Sequence, residues 1–324
     1  MTNPINRRRR ASIITLAAAL LSSASWAQSD RPLRIIVPLT PGSAVDTVAR
    51  ALSAELAKTL GRPVFVENVA GAGGTIGTAQ IAKAPKDGTT LGLVASGHVI
   101  NPYVYKSIPY DALKDFTQIS VIAASPLVLV VNPSVPAKDQ RELVALLKAQ
   151  PDNYFYGSAG NGSVAHLAGS LFAKEAGVSI KHVPYRGVGP LMTDLIGGQV
   201  HMAFIGTSAA QAQVAVGKLR AIGVSSASRA ALMPSVPTIA EGGLKNFRYE
   251  PWIAVIGPAG LSAQQSGAFA AAFKTALSAP SVQETLVKQG FVTLGNTPSQ
   301  AADFFAAELK RHEKLVKDSG AILE

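Results

Sequence analysis

The 324-residue chain has no cysteine, and that absence removes disulfides, thiolate zinc sites, iron–sulfur clusters, a cysteine nucleophile and a lipid-modified N-terminal cysteine. Aromatic residues are scarce at 6% and charged residues reach only 15%, while 48% of the chain is hydrophobic. Disordered chains show the opposite balance, so this one can bury a large core. No run of about 18 apolar residues follows the N-terminal segment; the best candidate, Ile119 to Val131, is broken by Ser120, Ser125 and Pro126 and reads as buried strand. Neither an internal repeat nor a low-complexity tract occurs, which excludes solenoids and disordered arrays.

Several motifs are also missing. The chain holds no G-x-x-x-x-G-K-[ST], H-E-x-x-H or G-x-S-x-G, so NTPase, zincin and α/β-hydrolase chemistry lack their signatures. The run Gly71-Ala72-Gly73-Gly74-Thr75-Ile76-Gly77 fails as a dinucleotide fingerprint, because Ile76 stands where the third glycine is required. His98, His166, His182, His201 and His312 show no i, i+4 pairing, and no metal or cofactor is expected.

At the N-terminus, Arg7 to Arg10 precede the apolar run Ile13–Leu21 and the small-residue stretch Ser22 to Ala27. This is the layout of a secretory signal peptide over 1–27, cleaved before Gln28 and directing the chain to the periplasm. The general secretory route fits better than twin-arginine export, which prefers an apolar residue where Ser12 stands. The segment carries four arginines and no acid, so the mature chain keeps +6 of the formal +10. Its basic residues are scattered and form no stripe, which favours a small organic anion over nucleic acid.

The mature chain alternates short apolar strands with amphipathic helices, beginning with Ile35–Val37, the turn Thr40-Pro41-Gly42 and a helix whose apolar positions Val45, Val48, Ala49, Leu52 and Leu56 recur at helical spacing. The series repeats at Val64–Val69 with helix 75–84, and at Leu91–Ala95 followed by Ser96-Gly97-His98. A second series runs from a helix at 138–149 to a strand at 221–224, and helices near 262–277, 281–289 and 298–318 follow. Such alternation implies parallel β–α units. The strands Leu127–Val131 and Trp252–Ile256 bracket the second series and are the expected crossings, giving a first lobe of 28–130 with 250–324 and a second lobe of 131–249.

Ligands of parallel sheets bind beyond the strands' carboxyl ends, which points to the loops at 39–46, 67–77, 96–101, 157–166, 184–190 and 205–209. Ser43 to Asp46 has the S-x-x-D form of a capping box, with Asp46 expected to reach back to the Ser43 N–H. In Gly157-Ser158-Ala159-Gly160-Asn161-Gly162-Ser163, small residues permit close backbone approach and Ser163 caps the helix carrying His166. Each motif serves a plain helix cap as well as an anion-binding helix start. A triad of Ser158 or Ser163 with His166 and a distant acid has only sequence proximity behind it.

The chain resembles the extracytoplasmic solute-binding proteins of tripartite tricarboxylate transporters, the Bug family. The resemblance rests on Arg34 to Gly42 with Asp46, Val66-Glu67-Asn68 with Gly71 to Gly74, Pro109 to Phe116, Gly160 to Ser163 with His166 to Gly169, His182 to Gly187, Gly197 to Val200 and Val236 to Glu241. It implies an α/β architecture of the periplasmic-binding-protein type II fold, two lobes joined by crossing strands around a ligand cleft. It further implies capture of a small carboxylate, delivery to membrane permease subunits, and no enzyme activity. The expected ligand-binding residues are Thr40, Gly42, Ser43, Asp46, Ser96, His98, Ser158, Asn161, Gly162, Ser163, His166 and Ile205. Two departures stand out: Ser43 replaces the second glycine after the loop proline, and Ile205 stands where the family has aspartate. An apolar Ile205 implies a ligand without an α-amino group, an aromatic or aliphatic mono- or dicarboxylate. A monomer is expected, and the other function classes are a periplasmic hydrolase on the same scaffold and a sensory subunit that presents its ligand.

Overall fold

The computed structural model describes residues 31–151 and 153–321; residues 1–27, read above as a signal peptide, lie outside the described residues. In chain order the strands are β1 (Leu33–Val37), β2 (Val64–Asn68), β3 (Thr90–Ala95), β4 (Phe116–Ala124), β5 (Leu127–Val131), β6 (Phe155–Ser158), β7 (Lys181–Pro184), β8 (Met202–Gly206), β9 (Arg220–Val224), β10 (Trp252–Pro258) and β11 (Val292–Thr293). The helices are α1 (Ala44–Leu60), α2 (Thr75–Ala82), α3 (Gly97–Val104), α4 (Gln140–Ala149), α5 (Val164–Ala176), α6 (Val188–Ile196), α7 (Thr207–Ala215), α8 (Ala263–Leu277), α9 (Pro280–Lys288) and α10 (Pro298–Ser319).

Two mixed sheets form, in the orders β11-β4-β10-β3-β1-β2 and β7-β6-β8-β5-β9. β1 runs parallel to β2 and β3, and β6 runs parallel to β7 and β8, so the β–α units lie where alternation put them. β10 enters the first sheet antiparallel to β3 and β4, and β5 enters the second antiparallel to β8 and β9. These inserted strands tie the sheets together.

The stretch 119–131 divides at Ser125-Pro126 into the end of β4 and the expected crossing strand, β5 at Leu127–Val131. Pro126 has no N–H to extend a ladder, and Ser125 N–H leaves the strand to bond Pro251 O at 2.7 Å. The chain crosses between sheets there, and again between Tyr249, whose N–H bonds Ser225 O at 2.9 Å, and Trp252 in β10. β5 therefore sits inside the second sheet, which moves the first expected lobe boundary back from 130 to the Ser125-Pro126 step. The loop expected at 96–101 is the start of α3, a short helix carrying Pro102 within it.

Each sheet is covered on both faces. The apolar stripe of α1 is 0–1% exposed at Val45, Val48, Ala49, Leu52 and Leu56 and packs with α8 and α9 on one face of the first sheet. Burying each such valine or leucine contributes about 1.5–3 kcal/mol. Trp252 and Phe305 of α10 cover the opposite face. In the second sheet Phe172 and Phe204 lie on one side, and Leu191 and Ile205 on the other. Helix α10 belongs to both bodies, since Leu315 and Val316 join the Phe172 cluster and Lys174 Nζ meets Asp318 Oδ2 at 2.6 Å.

Candidate functional site

The first candidate loop links β1 to α1. Gly42 takes φ +79, a left-handed conformation open to glycine at little cost, and its N–H donates to Asp46 Oδ2 at 2.9 Å. Ser43 caps α1, its Oγ accepting from Asp46 N–H at 3.3 Å. The expected box is thus displaced by one residue: the Asp46 carboxylate reaches Gly42, while Ser43 N–H donates to Thr40 O at 3.2 Å. Arg50 Nε grips Asp46 at 2.9 and 3.0 Å, Arg50 Nη2 bonds Asn68 Oδ1 at 2.8 Å, and Asn68 Nδ2 donates to Leu39 O at 3.0 Å. Burial raises the Asp46 pKa, but the bonds from Arg50, Gly42 and Asn68 outweigh it and hold the carboxyl below its ordinary value. Thr40 and Gly42 stand exposed at the tip of this braced loop.

The second candidate loop links β6 to α5. Ser163 caps the helix, accepting from His166 N–H at 3.3 Å. Behind the loop the rings of His166 and His182 stack with centroids 3.7 Å apart and planes at 5°. His166 Nδ1 accepts from Gly162 N–H at 3.1 Å, so the neutral ring carries its proton on Nε2. Ser158 Oγ accepts from Gly160 N–H at 3.2 Å and donates to Gly160 O at 2.9 Å. Its remaining contact, His182 Nε2 at 2.7 Å, must then be made by an N–H of the ring. Burial lowers His166 to about 4; burial first and the neighbouring His166 second lower His182 to about 4. Both rings are neutral near pH 7.

These bonds decide which donors a ligand can meet. Gly42, Gly160 and Gly162 spend their N–H groups inside the protein. The N–H groups of Ala44 and Val45, and of Val164 and Ala165, precede the hydrogen-bond ladders of α1 and α5 and have no helical partner. With Ser43 and Ser163 they make two donor sets at the carboxyl ends of strands in different lobes. The second loop reaches the first lobe at α3, since a Cβ on Gly162 would come within 2.9 Å of Val104 Cγ1. Asn161 lies partly exposed between Gly160 and Gly162.

Three expected ligand residues are almost fully buried and make contacts within the fold. Ser96 is 1% exposed, and its Oγ accepts from Trp252 N–H at 3.0 Å, locking β10 beside the end of β3. His98 lies among Tyr110, Phe116 and Phe305, with Nε2 donating to Ala112 O at 2.8 Å. Burial lowers it to about 4 against the raising effect of that carbonyl. Ile205 is 3% exposed in the cluster with Val128 and Leu191, because its strand is covered on both faces and presents no apolar side chain to a cleft. Sequence reasoning assigned no role to Arg50, Asn68 or His182. The i, i+4 spacing of Asp46 and Arg50 was a usable signal; Asn68 and His182 depend on the strand registers Val37↔Asn68 and Tyr156↔His182.

Two α/β lobes joined by crossing strands, each with a serine-capped helix start after one of its strands, define the periplasmic-binding-protein class. Within that class, a family described as tripartite tricarboxylate transporter family receptor matches residues 48–321, and the chain belongs to that family of solute-binding receptors. It is 36% identical to protein BugT of Bordetella pertussis over 326 residues, covering 99% of this chain and 100% of BugT. Among solved structures it is similar to Rpa4515 of R. palustris with adipate, at TM-score 0.78 and 32% identity over 90% of this chain and 99% of that one. It is also similar to MatC of Rhodopseudomonas palustris with bound malate, at TM-score 0.73 and 31% identity over 88% and 99% of the two chains.

Proposed function

We propose that this receptor works in the periplasm, captures a small organic carboxylate between its two lobes without transforming it, and delivers it to the membrane permease of a tripartite transporter. The observation that carries this reading is the pair of serine-capped helix starts in different lobes, α1 at Ser43 and α5 at Ser163. Backbone N–H groups at a helix start favour an anion through both hydrogen bonding and the helix dipole. One carboxylate bridging both sets would draw the lobes together. Adipate and malate, bound by the two similar proteins, belong to the proposed class.

A ligand without an α-amino group fits this site better than an amino acid. A buried ammonium needs a counter-charge, and the two nearest candidates are committed: Asp46 to Arg50, and Glu67 to Arg34. Ile205, buried in its apolar cluster, gives no separate support to this preference.

The test is a thermal-shift screen of the mature chain with adipate, malate, benzoate, aspartate and glutamate, since a ligand of the folded state raises Tm by mass action. Small-angle scattering with the best acid should show a smaller radius of gyration. Shifts confined to the two amino acids would refute the ligand class, and a scattering curve unchanged at saturation would refute closure. Chemical change of the acid on release would favour a hydrolase.

A further inference from the structure

The sheet order separates two regions of the first lobe. The candidate loops follow β1, β2 and β3 toward one edge, whereas β11, β4 and the start of β10 form the other side. On that second side lies a cavity of about 370 Å³, bordered by both crossing segments (Ala124 to Pro126, and Ser226 to Ala230 with Arg248 to Trp252) and by α10. Its volume falls in the range of small-molecule sites.

The cavity's wall has two chemistries. Trp252, Phe304, Val292 and Leu294 supply an apolar floor. Val292 and Leu294 are each 45% exposed, unusual for large apolar side chains in this structure. Around them stand Arg229, Arg248 and Arg311, opposed by Glu250 and Glu308. Both carboxylates are occupied: Glu308 accepts from Trp252 Nε1 at 2.9 Å and Arg311 Nη1 at 3.1 Å, and Glu250 accepts from Arg248 Nη2 at 2.9 Å and Ala227 N–H at 3.2 Å. The arginines have donors to spare, since Arg248 spends only Nε and Nη2, and Arg229 only Nε and Nη1. Arg229 is itself paired with Glu241 at 3.0 Å just outside the wall, so the three arginines are balanced by three carboxylates, and what the lining offers is spare guanidinium N–H edges beside an apolar surface.

We infer that this cavity is a second binding site, behind the crossing strands, for a small organic anion with an aromatic body. The ring lies on Phe304, Val292 and Leu294, above the buried Trp252, and the carboxylate meets Arg248 and Arg229. The wall comes from both crossing segments, so a bound molecule touches the parts of the chain that must rearrange if the lobes move. Occupancy here and ligand affinity in the interlobe cleft are then linked, each changing the other by the same factor. The site stands on its own residues and is independent of which acid the cleft takes.

Tryptophan fluorescence tests it. The chain has two tryptophans, Trp26 in the segment read as a signal peptide and Trp252 in the cavity floor, so mature protein starting at Gln28 reports from this site through one indole. Titration with 2-naphthoate should give saturable quenching. Leu294→Asp, at a half-exposed position, and Arg248→Gln should each raise the apparent Kd about tenfold or more, while Ser163→Ala in the cleft leaves it unchanged. Loss of quenching in Ser163→Ala with retention in both cavity variants would assign the probe to the cleft and overturn the proposal. Linear, non-saturating quenching in wild-type protein would overturn it as well.

Discussion

Asparagine in place of His166 keeps an acceptor in reach of Gly162 N–H but removes the ring that titrates. Burial holds that ring at about 4, against an ordinary 6.5. At about pH 7.5 neither the folded nor the unfolded chain protonates it, so its contribution is fully present. As pH falls through 6.5 the unfolded chain takes up a proton that the folded ring refuses until about 4. At about pH 5 the difference amounts to ~2 kcal/mol, from ~1.5 pKa units at ~1.4 kcal/mol each. Protonation of Nδ1 would also turn the Gly162 contact, 3.1 Å long, into two opposed donors. Urea melts of wild type and His166→Asn at the two pH values isolate the effect, because the buried His98, also lowered to about 4, is common to both proteins. Wild type should lose about 2 kcal/mol more than the variant between the two conditions. The neighbouring His182 reinforces this direction, since the variant removes one of the causes that lower it. Equal losses in the two proteins would refute the assignment of a neutral, buried His166 that accepts from the loop.

Three further outcomes follow from the same geometry. Ser163→Ala should weaken carboxylate binding by roughly 1–3 kcal/mol if the hydroxyl holds the anion, and otherwise lower stability by about 1 kcal/mol as a lost cap; calorimetric titration beside urea melts separates the two. Gly162→Ala should cost about 1–3 kcal/mol of stability in a denaturant melt, because an L-residue is strained at a left-handed φ and its Cβ crowds Val104; no change would mean that the loop relocates freely. Ile205→Asp should destabilise the second lobe by several kcal/mol, seen as a large fall in Tm, because it buries an unpaired charge in an apolar cluster. A stable Ile205→Asp protein with altered ligand preference would return this position to the cleft.

Local signals carried much of this architecture. The apolar spacing of α1 and the S-x-x-D pattern at its start placed the helix and its cap, and Pro298 to Ser319 was expected within one residue of its observed end. Ser163, read as the cap of the helix carrying His166, likewise caps α5. What failed depends on distant contacts. In 119–131 the break at Ser125-Pro126 was legible, but which sheet takes β5 was not, because that is set by its pairing with β8 and β9. Ile205 and Phe204 are both buried on opposite faces, so their strand has no alternation from which a cleft-facing residue could be chosen. The His166–His182 stack joins a helix to a strand across sixteen residues through sheet register, which no local pattern encodes.

Helix α10 sets how the two bodies can come apart. Its Phe305 completes the first-lobe cluster around Trp252, while ten and eleven residues later Leu315 and Val316 complete the second-lobe cluster around Phe172. Neither body closes its own interior without the same continuous element. Unfolding either lobe strips one half of the helix of its packing, and a helix held by half its length is weakened throughout. The shared helix therefore couples the stability of the two lobes even though they are built on separate sheets. Residues 126–249 expressed alone would leave the Phe172 side bare to solvent, and cutting the chain ahead of α10 would remove mortar from both halves at once.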